Sequence, residues 1–235
     1  MRPENQNTGP ARSGRLAALA DVLPLTETLA DIGTDHGRLL INLIRAGRID
    51  KGIGVEIARG PYRRAVDNVA ACGLADKIDI RLGDGLQPLA PGEATACSIA
   101  GLGGGTITDI LDRGKSLAAD MAWLLLQPMT GAKRLRLYLQ QNGWAFEREV
   151  LAEDRGIIYQ IILTQRGYAP PLEEAEAEFG PLLLRNKPPL LERAIRQRID
   201  KLKDVSGRLD KSEAAASKEK KARFVRQIRE WEALI

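Results

Sequence analysis

The chain has 235 residues, enough for one sizeable α/β domain plus a small extra element but crowded for two full domains. With 44% hydrophobic and 28% charged residues, and no apolar run near the roughly 20 residues of a membrane helix, it reads as a soluble globular protein. Net charge is only +4, yet residues 1–184 carry 20 basic against 23 acidic side chains and residues 185–235 carry 15 against 8. All of the basicity lies in the last fifth. Clustered Lys and Arg suit a phosphate backbone through counterion release, and a Lys-rich solvated coiled coil accounts for the same charge equally well. Cys72 and Cys97 alone allow neither a disulfide framework nor a cysteine-rich metal site, so no metal is expected and a reducing cytoplasm fits best.

The first residues, Met1–Pro10, are polar and lack the apolar core of a signal peptide, so residues 1–12 read as a disordered tail. Leu16, Leu19, Ala20 and Leu23 then recur at helical spacing after Ser13, a capping residue, and Pro24 ends the run. β-type runs follow at Leu29–Ile32, Gly52–Ile57, Ile78–Leu82, Ala96–Ala100 and Ala122–Gln127. Helical patterns alternate with them over Leu39–Ala46, Pro61–Ala71, Ile107–Leu117 and Lys133–Gln141. Such alternation predicts a parallel sheet with helices on both faces. Two further strands, Trp144–Leu151 and Ile157–Thr164, are separated only by Ala152–Gly156, too few residues for a parallel crossover. They predict an antiparallel hairpin closing the sheet, an ending foreign to the standard dinucleotide-binding dehydrogenase fold.

Residues 13–167 thus read as one Rossmann-like α/β domain. Pro170, Pro171, Pro181, Pro188 and Pro189 punctuate residues 168–189, which read as a linker. Beyond it, Leu191, Ile195, Ile199, Leu202, Val205 and Leu209 form one helical stripe, and Phe224, Ile228, Trp231 and Ile235 another. Residues 190–235 therefore predict a basic helical hairpin turning near Asp210–Ser217.

The first strand runs into Asp31-Ile32-Gly33-Thr34-Asp35-His36-Gly37, where Gly33 and Gly37 permit a tight turn and close ligand approach. Glu56 ends the next strand, 19 residues after Gly37, where a carboxylate accepts hydrogen bonds from ribose hydroxyls. Asp84, between Gly83 and Gly85 after the third strand, is placed to accept an adenine amino group. Each has an ordinary surface or turn reading on its own; together, on three successive strand ends, they favour adenosine. A diphosphate wants a helix N-terminus free of negative charge, whereas Asp31 and Asp35 suit the ammonium and sulfonium groups of S-adenosylmethionine (SAM). Ile57, Ala100 and Gly101 complete the expected cofactor shell. Gly101-Leu102-Gly103-Gly104-Gly105 leaves bare backbone beside the presumed methyl group, and Gln127 in the run Leu126–Met129 borders the same cleft.

The segments Leu29–Gly37, Gly83–Gly85, Ile99–Gly104, Leu124–Pro128 and Gly156–Tyr159 closely resemble the bacterial tRNA adenine-N1 methyltransferases of the TrmK type. The resemblance runs in order over residues 14–167 and extends in kind to the trailing hairpin. It implies a SAM-dependent enzyme whose acceptor is N1 of an adenine in the D-arm region of tRNA. It also implies a base cleft including Gly103, Gln127 and Tyr159. Asp35 and His36 are the expected catalytic candidates, Asp35 to stabilise charge or take a proton, His36 with an equal claim to a structural role. Arg193, Arg196, Lys218, Lys221 and Arg226 would grip the tRNA backbone. A monomer suffices for this reading. An NAD-dependent oxidoreductase, a noncatalytic RNA-binding protein and a methyltransferase with another acceptor remain its competitors.

Overall fold

A computed structural model describes residues 14–209 and 215–235. The expected tail, the Ser13 cap and most of the expected hairpin turn lie outside the described residues. The elements run α1 (Arg15–Val22), β1 (Thr26–Ile32), α2 (Arg38–Arg45), β2 (Ile49–Glu56), α3 (Arg59–Ala71), β3 (Ile78–Leu82), β4 (Ala96–Gly103) and α4 (Gly104–Arg113). They continue with α5 (Lys115–Ala119), β5 (Trp123–Thr130), α6 (Ala132–Gln141), β6 (Trp144–Asp154), β7 (Ile157–Arg166), α7 (Glu174–Phe179), α8 (Pro181–Asn186), α9 (Leu191–Leu209) and α10 (Ala215–Glu232).

The seven strands form one sheet in the order β3-β2-β1-β4-β5-β7-β6, parallel except for β7, which is antiparallel to both β5 and β6. This is the Rossmann-like methyltransferase arrangement, and the terminal hairpin is as the short connection required. Arg155 (φ 51°) and Gly156 (φ 79°) make its two-residue turn, both left-handed as the twist of paired strands demands. Neighbouring strand residues bury opposite faces. Ala30, Leu124 and Leu126 pack under α4 and α6, while Leu29 and Leu125 pack under α1, α2 and α3. Because the chain leaves β1 toward β2 and later returns to β4 on its other side, β1 and β4 diverge at a switch point. Ligands bind outside the carboxyl ends of strands at such a point.

Two expectations are corrected. The pattern over Ile107–Leu117 is two helices that meet at Gly114, which leaves helical geometry (φ −99°, ψ 24°) and packs so closely on Leu86 that a Cβ there would stand 2.5 Å from its Cδ1. The stretch expected as a linker folds into α7 and α8. A Glu173/Glu176 capping box starts α7, Pro181 sits in the first turn of α8, and Ala177, Phe179 and Leu183 are buried. α9 and α10 then pack side by side, and Arg198 near the start of α9 lies over the Trp231 ring near the end of α10, so the pair is antiparallel.

Candidate active site

Five residues turn the chain between β1 and α2. Gly33 (φ 74°), Asp35 (φ 52°) and Gly37 (φ 69°) are left-handed, and for Asp35 that conformation carries a Cβ penalty of the kind found at functional turns. The turn lies directly on β2: the Gly33 and Thr34 amides donate to the Val55 carbonyl at 2.9 and 3.2 Å. Gly54 makes room, since a Cβ there would lie 2.6 Å from Ile80 and 2.9 Å from Thr34.

Asp31, one residue from the end of β1, is 5% exposed and accepts a hydrogen bond from the Ser98 hydroxyl of β4. Burial raises its carboxyl above the usual aspartate range, opposed by the Ser98 hydrogen bond and by the charge of Arg15. A cavity of about 130 Å³ opens here, lined by Arg15, Asp31, Gly33, Thr34, Asp35 and Ala100 among others. A buried carboxylate facing a small cavity favours a ligand ammonium and disfavours a phosphate. Asp35 stands at the mouth with its side chain 66% exposed, 3.6 Å from His36 Nε2. Asn68 of α3 lies 3.4 Å from His36 Nδ1 and donates to the His36 carbonyl, so the imidazole is tied to the scaffold.

Glu56 closes β2, buried, with its oxygens accepting the amides of Asp35 (3.2 Å), Ile57 (3.0 Å) and Ala58 (3.3 Å). Oε1 takes the Ile57 and Ala58 amides, so Oε2, with the Asp35 amide alone, is the oxygen that keeps acceptor capacity for a hydroxyl donor. Beside it, Ile57 is 67% exposed, and Leu82 at the end of β3 is 44% exposed. Large apolar side chains at adjoining strand ends offer flat contact to a purine. Asp84 is held by Arg113 of α4 at 2.6 and 3.3 Å, which leaves part of its acceptor capacity for an amine, and Gly85 is left-handed.

Between β4 and β5, Ala100 pairs with Gln127 and Leu102 with Pro128, so Gly101 (φ 80°) is an extra, bulged residue. Its amide donates to Gln127 Oε1 at 3.1 Å, which also accepts from Arg15 Nη1 at 2.8 Å. Gln127, expected to border the cleft, is fully buried and holds Gly101 and Arg15 in place through its Oε1. Arg15 in turn sits over the Tyr159 ring, 5.8 Å from its centroid, and brings β7 to the site. The glycine run is not a loose loop. β4 continues to Gly103 and α4 begins at once, with Gly104 pressed against the Gly131 backbone.

The sequence profile of the TrmK family, tRNA (adenine(22)-N(1))-methyltransferase, matches residues 29–231. The chain belongs to this family. It is 36% identical over 155 residues to the Bacillus subtilis tRNA (adenine(22)-N(1))-methyltransferase, an alignment spanning 66% of this chain and 65% of that one. The crystal structure of the B. subtilis M1A22 tRNA methyltransferase TrmK superposes with a TM-score of 0.86 at 28% identity, covering 95% of this chain and 98% of that one. A Streptococcus pneumoniae protein solved in complex with S-adenosyl-L-methionine superposes at 0.84 with 30% identity, covering 93% and 97%.

Within the TrmK framework the expected cofactor residues Asp31, Gly33, Thr34, Asp35, Gly37, Glu56, Ile57, Ala100 and Gly101 converge on the ends of β1, β2 and β4, with Asp84 and Gly85 after β3. Sequence alone does not single out Arg15, Leu82 or Arg113 at these strand ends, because Arg15 arrives through Gln127 and Arg113 through Asp84, both remote in sequence, and Leu82 is an apolar strand end like many others.

A second cavity, of about 880 Å³, lies on the far side of the β4–β5 ends from the Gly33–Gly37 turn. It opens between Pro128–Arg134 and α9, with Lys133, Arg134, Arg198 and Lys201 among its walls. On the hairpin, Arg193 pairs with Glu153 of β6 and Arg196 with Glu192, whereas Lys218 and Arg226 are exposed on α10. Exposed pairs of this kind are worth about 0–1 kcal/mol, so a phosphate displaces the carboxylate cheaply. Among the described residues no helix is long and apolar enough to cross a membrane, and no acid, His or Cys group is arranged to hold a metal.

Proposed function

We propose that this chain transfers a methyl group from SAM to N1 of an adenine in the D-arm region of tRNA, the transfer to tRNA adenine N1 being what its family's name describes, and that it does so in the cytoplasm. The observation that carries the cofactor part is the buried Asp31 carboxylate at the β1/β4 switch point, beside Glu56 and the exposed Ile57. SAM supplies an electrophilic methyl on a sulfonium. Asp31 and the Gly33–Gly37 turn hold the amino-acid end, Glu56 the ribose, and Ile57, Asp84 and Gly85 the adenine. The Gly101 bulge and Gly103 form the wall along which a flat base slides, with Tyr159 opposite. Adenine N1 attacks with its own lone pair, so the protein's task is alignment and charge stabilisation rather than covalent catalysis. Asp35, exposed at the mouth, faces the positive charge that develops on the base and is placed to take the proton of the exocyclic amine. His36 keeps that turn in place through Asn68.

Reaching N1 requires the base to leave its stack, at a cost of a few kcal/mol. The basic groove and hairpin supply that through backbone contacts. SAM is expected to raise the melting temperature and NAD to leave it unchanged; the reverse result would favour an oxidoreductase. For the RNA part, Lys218→Ala with Arg226→Ala is expected to weaken tRNA binding and reduce the slope of log K against log salt by about 1 per lost phosphate contact, measured by titration. An unchanged slope would show that the hairpin does not touch the backbone.

A further inference from the structure

α6 and β6 carry a pair that the methyl-transfer site does not use. Arg136 and Glu149 are both fully buried at the side chain, with Nε donating to Oε1 at 2.7 Å. Removing two charges from water is costly unless their remaining hydrogen bonds are met, and here they are met by one segment. Arg136 Nη1 donates to the carbonyls of Ala177 and Glu178 at 3.2 and 3.0 Å, and Nη2 to that of Phe179 at 3.4 Å. The other oxygen of Glu149 accepts the Leu182 amide at 2.9 Å. The guanidinium fork and the carboxylate thus grip the end of α7 and the start of α8 from both sides of Gly180. That glycine (φ 108°) has no room for a side chain: a Cβ would stand 2.6 Å from both Glu149 oxygens and 2.8 Å from Arg136 Nη2.

The gripped segment belongs to the core of the hairpin. Phe179 meets Trp231 of α10 edge to face with ring centroids 4.9 Å apart, and Phe179 and Leu183 pack with Ile195, Ile199 and Ile228. The Glu178 side chain binds Arg198 of α9, while its carbonyl accepts from Gln160 of β7. The ion pair therefore joins the methyltransferase sheet to the hairpin core through one short piece of backbone.

We propose that Arg136 and Glu149 are positioning residues for the RNA substrate: their clamp on residues 177–182 sets where the basic hairpin stands relative to the methyl-transfer cleft. The inference rests on the reading that the hairpin grips tRNA. Arg keeps the planar fork that three carbonyls require, and Lys would retain the charge but not the fork.

The test compares Arg136→Lys and Gly180→Ala with wild type in SAM affinity, tRNA affinity and kcat at saturating tRNA. Both variants are expected to keep SAM and tRNA affinities within about threefold while kcat falls about 100-fold, since a misplacement near 1 Å remote from the chemistry suffices for that loss. Neither variant deletes a charge: Arg136→Lys removes only the fork, Gly180→Ala presses on the clamp from the backbone side, and thermal melts show that each variant is folded at the assay temperature. Wild-type kcat in variants that only melt lower would overturn the proposal, as would loss of SAM affinity in parallel with kcat. If Lys218→Ala with Arg226→Ala leaves tRNA affinity untouched, the hairpin reading itself fails, and this result is distinct from either of those.

Discussion

Asp31→Asn is expected to raise the Kd for SAM about 100-fold while leaving the ligand-free protein at least as stable as wild type. The first half follows from removing one partner of a buried charge-assisted contact, a loss of about 2–5 kcal/mol where tenfold in affinity is about 1.4 kcal/mol. The second follows from linkage. Burial raises the folded-state pKa of Asp31 above its unfolded value, so the folded state holds more protons in the interval between them. Stability therefore falls as pH rises through that interval, and a neutral Asn removes this dependence. Asn still offers an oxygen to the Ser98 hydroxyl that now donates to Asp31. At a SAM concentration of about 100 times the wild-type Kd, wild type should gain about 2.7 kcal/mol and the variant about 0.4 kcal/mol. Thermal melts with and without SAM, carried from the ordinary aspartate range (about pH 4) upward, measure both halves. A variant that melts lower without ligand but keeps its SAM response would mean that Asp31 is a structural acid only.

Gly104→Ala should destabilise the protein by about 1–3 kcal/mol and lower methyl transfer about 100-fold. A Cβ at this position would lie 2.3 Å from the Gly131 carbonyl oxygen and 2.9 Å from that of Thr130, both backbone atoms that no rotamer can move aside. The ends of β4 and β5 must part, and the Gly101 bulge lies just before this junction. The neighbouring glycines give the contrast. At Gly103 the nearest atom to a Cβ is Thr130 Oγ1 at 3.5 Å, so Gly103→Ala should fold normally and lose activity only by narrowing the base slot. At Gly105 a Cβ meets only the flexible end of Arg134, 3.2 Å away, and alanine should be tolerated. Denaturant unfolding beside steady-state rates separates the three; equal behaviour at Gly104 and Gly105 would refute the close-approach argument.

The parts of the fold that were legible in sequence are those governed by period and chain length. Consecutive buried residues such as Leu124, Leu125 and Leu126 mark a strand covered on both faces, and the Ala152–Gly156 connection is too short for anything but a hairpin. Strand-end acids were legible because Asp31 and Glu56 follow apolar runs and stand where side chains reach the carboxyl edge. What escaped depends on partners remote in sequence. Pro170, Pro171, Pro181, Pro188 and Pro189 look like linker punctuation, yet Pro181 opens α8 and the helices around Gly180 are fixed by Arg136 and Glu149, 31 to 44 residues earlier. Arg136 is wholly buried, which no period in the Lys133–Gln141 pattern signals. Gln127 follows a strand run toward the cleft, but its Oε1 is taken by Gly101 and by Arg15, 112 residues away. No local pattern announces such pairings.

The central claim is tested most directly by incubating the full chain with unmodified tRNA and SAM labelled in the methyl group, then digesting the RNA and separating its nucleosides, with Asp31→Asn in parallel. The account predicts label in N1-methyladenosine with wild type and its loss, or near loss, with the variant. Label in another nucleoside, or SAM binding with no RNA product, would contradict the assigned acceptor and leave the basic hairpin in need of a different partner.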